Sequence, residues 1–173
     1  ARLALEADRR RNGLREELHA AAGSENLCDG VESCRTAVRR QIGRGVDLIK
    51  IATTGGVNSR VGAGIGAQMF EDEIRAIVET THLYGKKLAV HATELVVAKA
   101  ALRAGADFLV HSVFDQPVDE EFIAFAKKNG AIYCPTLFVT DGYLLTLSNT
   151  WKPTPEEAGW ADPQILGAMD DLG

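Results

Sequence analysis

The sequence predicts an α/β protein carrying about four β/α units of a parallel (β/α)8 barrel of the TIM type, and three observations predict it. Short apolar runs (DLIKI, KLAVHA and DFLVHS) each follow a glycine that closes a helix-like stretch. These runs are apolar nearly throughout, as parallel strands with both faces covered are. Each run closes on a polar residue, Lys50, His91 or His111. The C-terminal strand ends of such a barrel converge on one face, so the three residues are expected in one pocket.

The first helix is expected over 31–42, where Val31, Cys34, Ala37, Val38 and Ile42 fall near helical spacing, with Gly43 and Gly45 ahead of a strand over 46–51. The second spans 72–84, with Ile74, Ile77, Val78 and Thr81 turned inward; Gly85 ends it before a strand over 87–91. The third covers 94–103, then Gly105 and a strand over 108–111. The fourth covers 119–128, then Gly130 and a strand over 131–134, after which Pro135 removes the next ladder donor. Glycine recurs after the helices because the residue that caps a helix C-terminus often takes a left-handed conformation.

A closed barrel needs eight strands and about 250 residues. The 173 residues carry roughly half of that, so an incomplete barrel domain is expected over 1–173. Its open edges call for further sequence on both sides or for self-association into a composite barrel, a homo-oligomer. The chain starts at Ala1 in what reads as the middle of a helix, with Leu3, Leu5, Leu14 and Leu18 in its pattern, and both ends read as cut.

The composition excludes several function classes. With 46% hydrophobic and 25% charged residues, a net charge of -5 and no apolar run of bilayer length, nothing points to a membrane. Nucleic acid is set aside too, because the clusters Arg9 to Arg11 and Arg39-Arg40 lie in helical patterns and read as solvated faces. Cys28, Cys34 and Cys134 are scattered without metal-finger spacing, which leads to the expectation of a reducing, cytoplasmic setting. Cys134 is expected to be a small buried hydrophobe rather than a nucleophile.

Two connections stand out. The segment ATTGGVNSRVGAGIGAQMF after Lys50 holds five glycines and reads as a long, mobile loop on the functional face. Gly55-Gly56 either wraps a ligand there or belongs to a disordered lid; P-loop spacing is absent. Residues 135–163, richer in proline and holding Trp151 and Trp160, read as an excursion over the barrel mouth.

Taken in order, GVDLIKIATTGGVNS, Gln68, EDEIRAIVETTHLYGKKLAVHA, ALRAGADFLVHS and the PTL of Pro135 to Leu137 resemble the middle of a metal-dependent amidohydrolase. The branch is that of imidazolonepropionase-like enzymes and Xaa-Pro dipeptidase-like carboxypeptidases. The resemblance covers about residues 29–140, strands four to seven of the barrel, and leaves 141–173 as a loop and helix after strand seven. It implies a (β/α)8 barrel beside a small β-sandwich. It also implies metal ligands from an HxH pair after strand one, a lysine after strand four, histidines after strands five and six and an aspartate after strand eight. By motif Lys50, His91 and His111 match the lysine and the two histidines. The HxH pair and the aspartate have no counterpart, so no catalytic residue is assigned in this chain and the general-base aspartate is expected outside it.

What the resemblance implies chemically is a divalent metal, one or two zinc ions, with the Lys50 amine carboxylated by carbon dioxide to an anionic bridge. Imidazoles suit zinc. A metal-activated water would then attack the carbonyl of a small-molecule amide, a dipeptide or a cyclic amide. Three other readings stay open: Lys50 pairing with a carboxylate, Lys50 as the Schiff-base amine of a lyase, and a catalytically silent half-barrel scaffold. Either histidine alone is a polar residue of a barrel mouth, whereas together they read as ligands. His82 is expected to play a structural role or to sit behind the ligands, and His19 to be solvated. Thr93 departs from the family, where an aromatic or imidazole side chain near this position contacts substrate.

Overall fold

Four parallel strands, each preceded by a helix, form the body of the protein. The computed structural model describes residues 2–4, 27–55, 66–148, 150 and 152–170. The units run in order: α1 (Val31–Gly43), β2 (Leu48–Ala52), α2 (Glu71–Leu83), β3 (Lys87–His91), α3 (Leu95–Ala104), β4 (Phe108–Val110), α4 (Glu120–Asn129) and β5 (Ile132–Cys134). Strands β2 to β5 pair in parallel in sequence order, with Lys50 opposite Ala89, His91 opposite Val110 and Val110 opposite Cys134. This is the α/β partial barrel that the helix, glycine and strand rhythm predicts.

A short strand β1 (Arg2–Ala4) pairs antiparallel with β2, placing Ala4 opposite Lys50. The expectation of a helix through Leu3 is therefore corrected. The free edge of β2 offers unsatisfied N–H and C=O groups, and a ladder partner there outweighs a weak helical pattern. Leu5, Leu14, Leu18, His19 and Arg9 to Arg11 lie outside the described residues.

The helices cover one sheet face. Ile49 and Ile51 of β2, Leu88 and Val90 of β3 and Leu109 of β4 are buried, and so are Val38, Ile74, Ile77, Ala98, Ala101 and Leu102 from the helices. Alternation along a strand puts Lys50, Ala89 and His91 on the opposite face. Gly105 shows why a glycine ends α3. Its φ is 102°, and a Cβ there would meet Val78 Cγ1 at 3.4 Å. In a left-handed cap this close to α2, only glycine fits without strain.

The N-terminal ends of the strands are held by Asp107. Its carboxylate accepts from His82 Nε2 at 2.7 Å, Lys87 Nζ at 2.5 Å and the Leu88 N–H at 2.9 Å. His82 is thus structural, joining the last turn of α2 to the start of β4, on the end of the sheet away from the strand C-termini. Burial alone would raise the Asp107 pKa, but the bonds from Lys87, His82 and Leu88 outweigh it and hold the carboxyl below its ordinary value. Because the folded pKa is depressed, the associated stability is present above the unfolded value of about 3.9 and is lost as pH falls through the folded one. Asp107→Ala is expected to cost about 1–2 kcal/mol at pH 7 by removing the charge-assisted bonds that the carboxylate accepts from Lys87, His82 and the Leu88 N–H. The difference from wild type in urea melts should shrink below about pH 4; an equal cost at pH 3 would refute the ionic origin.

Cys28 and Cys34 form a disulfide, and both are buried. Three unpaired thiols are thus not what the structure holds. The pairing escapes a search for metal spacing because it is a local staple across the entry to α1. Cys134 is a free, exposed thiol, which corrects its expected burial. It lies on β5, the last strand of the described sheet, where Ile132 is also 55% exposed because no further strand packs beside it among the described residues.

Residues Thr136–Gly173 form a separate compact unit of three helices: α5 (Leu137–Leu147), α6 (Pro155–Trp160) and α7 (Pro163–Asp170). The proline-rich stretch is thus partly helical. Pro155 opens α6 behind the cap Thr154, whose Oγ1 accepts from the Glu157 N–H at 3.2 Å while Glu157 Oε2 accepts from the Thr154 N–H at 2.8 Å. Trp151 lies outside the described residues. Among the described residues no helix is long and apolar enough to cross a membrane.

Candidate metal centre

Lys50, His91 and His111 all come together at the C-terminal ends of β2, β3 and β4. Ala52 pairs with His91, so Lys50, two residues earlier, lies one step deeper on the same face. Its four-carbon stem spans that step. All three side chains are half-buried.

His111 arrives by a different route. Leu109 is buried under the helices, and strict alternation would send residue 111 to that side as well. Instead His111 leaves the strand with φ 77°, in the left-handed region that non-glycine residues seldom adopt. Its ring stands edge-on to that of His91, with centroids 4.8 Å apart and planes at 68°.

His91 is fixed on two sides. The Thr53 N–H and Oγ1 donate to its carbonyl at 3.0 and 2.7 Å. Its Nε2 lies 3.1 Å from the Gly55 carbonyl oxygen. A carbonyl only accepts, so Nε2 carries the proton and Nδ1 the lone pair. Gly55 is itself held by the stems of the glycine-rich loop. Its N–H reaches Gly66 O at 3.4 Å, Thr54 bridges to Ala67, and the Gln68 N–H donates to Thr53 O at 2.8 Å. Residues 56–65, including Gly56, lie outside the described residues, and with them the expectation of a mobile loop. Thr93 is buried and shares a 3.0 Å hydroxyl contact with Thr54, so it ties the loop after β2 to the loop after β3.

Burial is the main cause that lowers the pKa of both imidazoles. For His91 the Gly55 bond opposes it and the Lys50 charge adds to it, while for His111 the charges of His91 and Lys50 add to it. Neutral imidazoles are what a metal needs from histidine, and a ring proton held on a backbone carbonyl is a common way of aiming the other nitrogen. Lys50 fits the same group only in another form. An ammonium repels a dication, so its amine suits a metal once it has become an anionic carbamate. Among the described residues no cluster of three or more His, Cys, Asp or Glu side chains could hold a metal, so the arrangement rests on these two imidazoles and the amine.

Lys50, His91 and His111, singled out in the sequence, lie at neighbouring strand ends, whereas the groups that hold His91, Thr53 and the Gly55 carbonyl, were not read from it. The signal was present as polar residues next to each strand end, yet which of them bond backward is a tertiary matter.

The sequence model of the amidohydrolase family matches residues 4–157. Ochratoxinase of Aspergillus niger is 35% identical over 123 residues, which are 71% of this chain and 25% of that protein. The chain thus spans about a quarter of the curated relatives it matches. A Xaa-Pro dipeptidase solved with methionine in its active site is 30% identical with a TM-score of 0.62, over 86% of this chain and 37% of that one. A prolidase complexed with N-methylphosphonate-L-proline is 27% identical with a TM-score of 0.63, over 94% of this chain and 38% of that one. With a family match over most of its length and the same fold in these structures, the chain belongs to the amidohydrolase family.

Proposed function

We propose that this chain supplies Lys50, His91 and His111 to the metal centre of a hydrolase that cleaves the C–N bond of a small amide, with dipeptides as the first class to try. The observation that carries the reading is the convergence of the three side chains on one strand-end face, with the His91 lone pair on Nδ1 and its ring 4.8 Å from that of His111. The dipeptide class is supported by the Xaa-Pro dipeptidase and prolidase among the similar structures. Zinc is the preferred metal and a carbamate the preferred state of Lys50.

A bound divalent metal would lower the pKa of a water and polarise the scissile carbonyl. The chain's own residues do the rest of what is assigned here. His91 and His111 present neutral nitrogens, Gly55 and Thr53 hold His91 in place, and Lys50 brings an amine to the floor of the site. The HxH pair and the aspartate base have no counterpart in the sequence, so three ligands and no base are assigned to this chain.

The test is hydrolysis of a dipeptide panel, including Xaa-Pro members, by this chain together with the polypeptide that supplies the HxH pair and the aspartate, prepared with zinc and bicarbonate. Hydrolysis that a chelator abolishes and zinc restores is the expected result. Borohydride trapping of a carbonyl compound on Lys50 with no chelator effect would instead establish the Schiff-base reading, and absence of bound zinc would leave a scaffold.

A further inference from the structure

His111 holds a left-handed backbone, and three consecutive donors starting at it meet three consecutive residues of the neighbouring strand end. The His111 N–H donates to Cys134 O at 2.9 Å, the Ser112 hydroxyl to Pro135 O at 2.8 Å and the Val113 N–H to Tyr133 Oη at 2.9 Å. The first of these is an ordinary extension of the β4–β5 ladder. The other two depend on side chains: a serine hydroxyl thrown across to β5, and a phenol reaching back from it. Tyr133 is itself seated edge-on against Phe122 of α4, with centroids 5.4 Å apart, so its hydroxyl is a fixed acceptor.

We propose that Ser112 and Tyr133 are positioning residues that lock the exit of β4 and thereby turn the His111 ring onto the face of Lys50 and His91. A left-handed histidine persists only where its surroundings over-determine it. Here alternation alone would place the ring under the helices, and the two hydroxyls are the side-chain contacts across to β5 that hold residues 112 and 113 after the turn, beside the packing of Val113 against the core and the bond from the Phe114 N–H to Thr93 O. The functional weight of the clamp rests on the metal-centre reading, since the ring it aims is one of the proposed ligands, and outer contacts of this kind commonly change metal affinity about 10- to 100-fold.

The experiment uses the full chain with Ser112→Ala, Tyr133→Phe and the double variant, and two readouts. The first, in metal-free protein, is the nuclear Overhauser contact between the ring protons of His91 and His111. The second is zinc affinity by chelator competition, with His111→Ala as the reference for a lost ligand. The clamp requires the ring contact to weaken in each single variant and vanish in the double one, with zinc bound about 10- to 100-fold more weakly and the thermal transition still cooperative. Ser112→Thr, which keeps a hydroxyl, should restore both readouts. A double variant with the wild-type ring contact overturns the proposal. If the ring contact is lost but neither the double variant nor His111→Ala changes zinc binding, the clamp stands and the metal-centre reading falls.

Discussion

Lys50→Arg is expected to lower amide hydrolysis about a thousandfold, as far as His91→Ala or His111→Ala, although it keeps the positive charge. The size follows from losing several kcal/mol of charge stabilisation at about 1.36 kcal/mol per tenfold. The substitution separates the readings of Lys50. If the residue served only to pair with a carboxylate, an arginine at the end of the same strand would do so at least as well. A guanidinium does not capture carbon dioxide, so a carbamate bridge is lost outright. Wild-type activity should rise with added bicarbonate after preparation without it, whereas Lys50→Arg should not respond. The fold should survive, because Lys50 is half-buried on the open face and Ile49 and Ile51 carry the core contacts of β2. Arginine with more than a tenth of wild-type activity would remove Lys50 from the centre.

How much of this was legible in the sequence divides along local and non-local lines. The strand expected over 87–91 coincides with β3, Lys87–His91, and the one expected over 46–51 differs from β2, Leu48–Ala52, only at its ends. Periodicity and glycine caps are local signals, and the apolar runs between them are as long as the strands they make. Three features were not legible. The pairing of Arg2–Ala4 with β2 depends on an edge that exists only in the folded sheet. The left-handed turn at His111 departs from the alternation of a regular strand, and no local pattern announces it. The strand-end positions of Lys50, His91 and His111 are legible as positions, but nothing in the spacing says that His91 spends its Nε2 proton on Gly55.

Opening the Cys28–Cys34 disulfide is expected to destabilise the barrel unit by about 2–3 kcal/mol. The chain-entropy estimate for a loop this short is about 2 kcal/mol, and the bond closes a separation of only six residues. A little more comes from packing, since both sulfurs are buried beside α1. The staple does not act alone. The Gly30 N–H donates to Glu73 Oε1 at 2.7 Å and the Phe70 N–H to Glu73 Oε2 at 2.8 Å, so the residues it pins are also tied to the start of α2. Cys28→Ala with Cys34→Ala should lower the midpoint of that unit's thermal transition by about 5–10 °C, as should reduction of the wild type. Reduction of the double variant should then do nothing further. Alkylation of the unfolded, unreduced chain should modify Cys134 alone. The same measurement bears on the compartment, because a structural disulfide persists in an oxidising environment and thiols stay open in a reducing one. Three alkylated cysteines and a melt indifferent to reductant would return the chain to the cytoplasmic setting inferred from its cysteine spacing. One alkylated cysteine and a shifted melt would place its folding in an oxidising compartment.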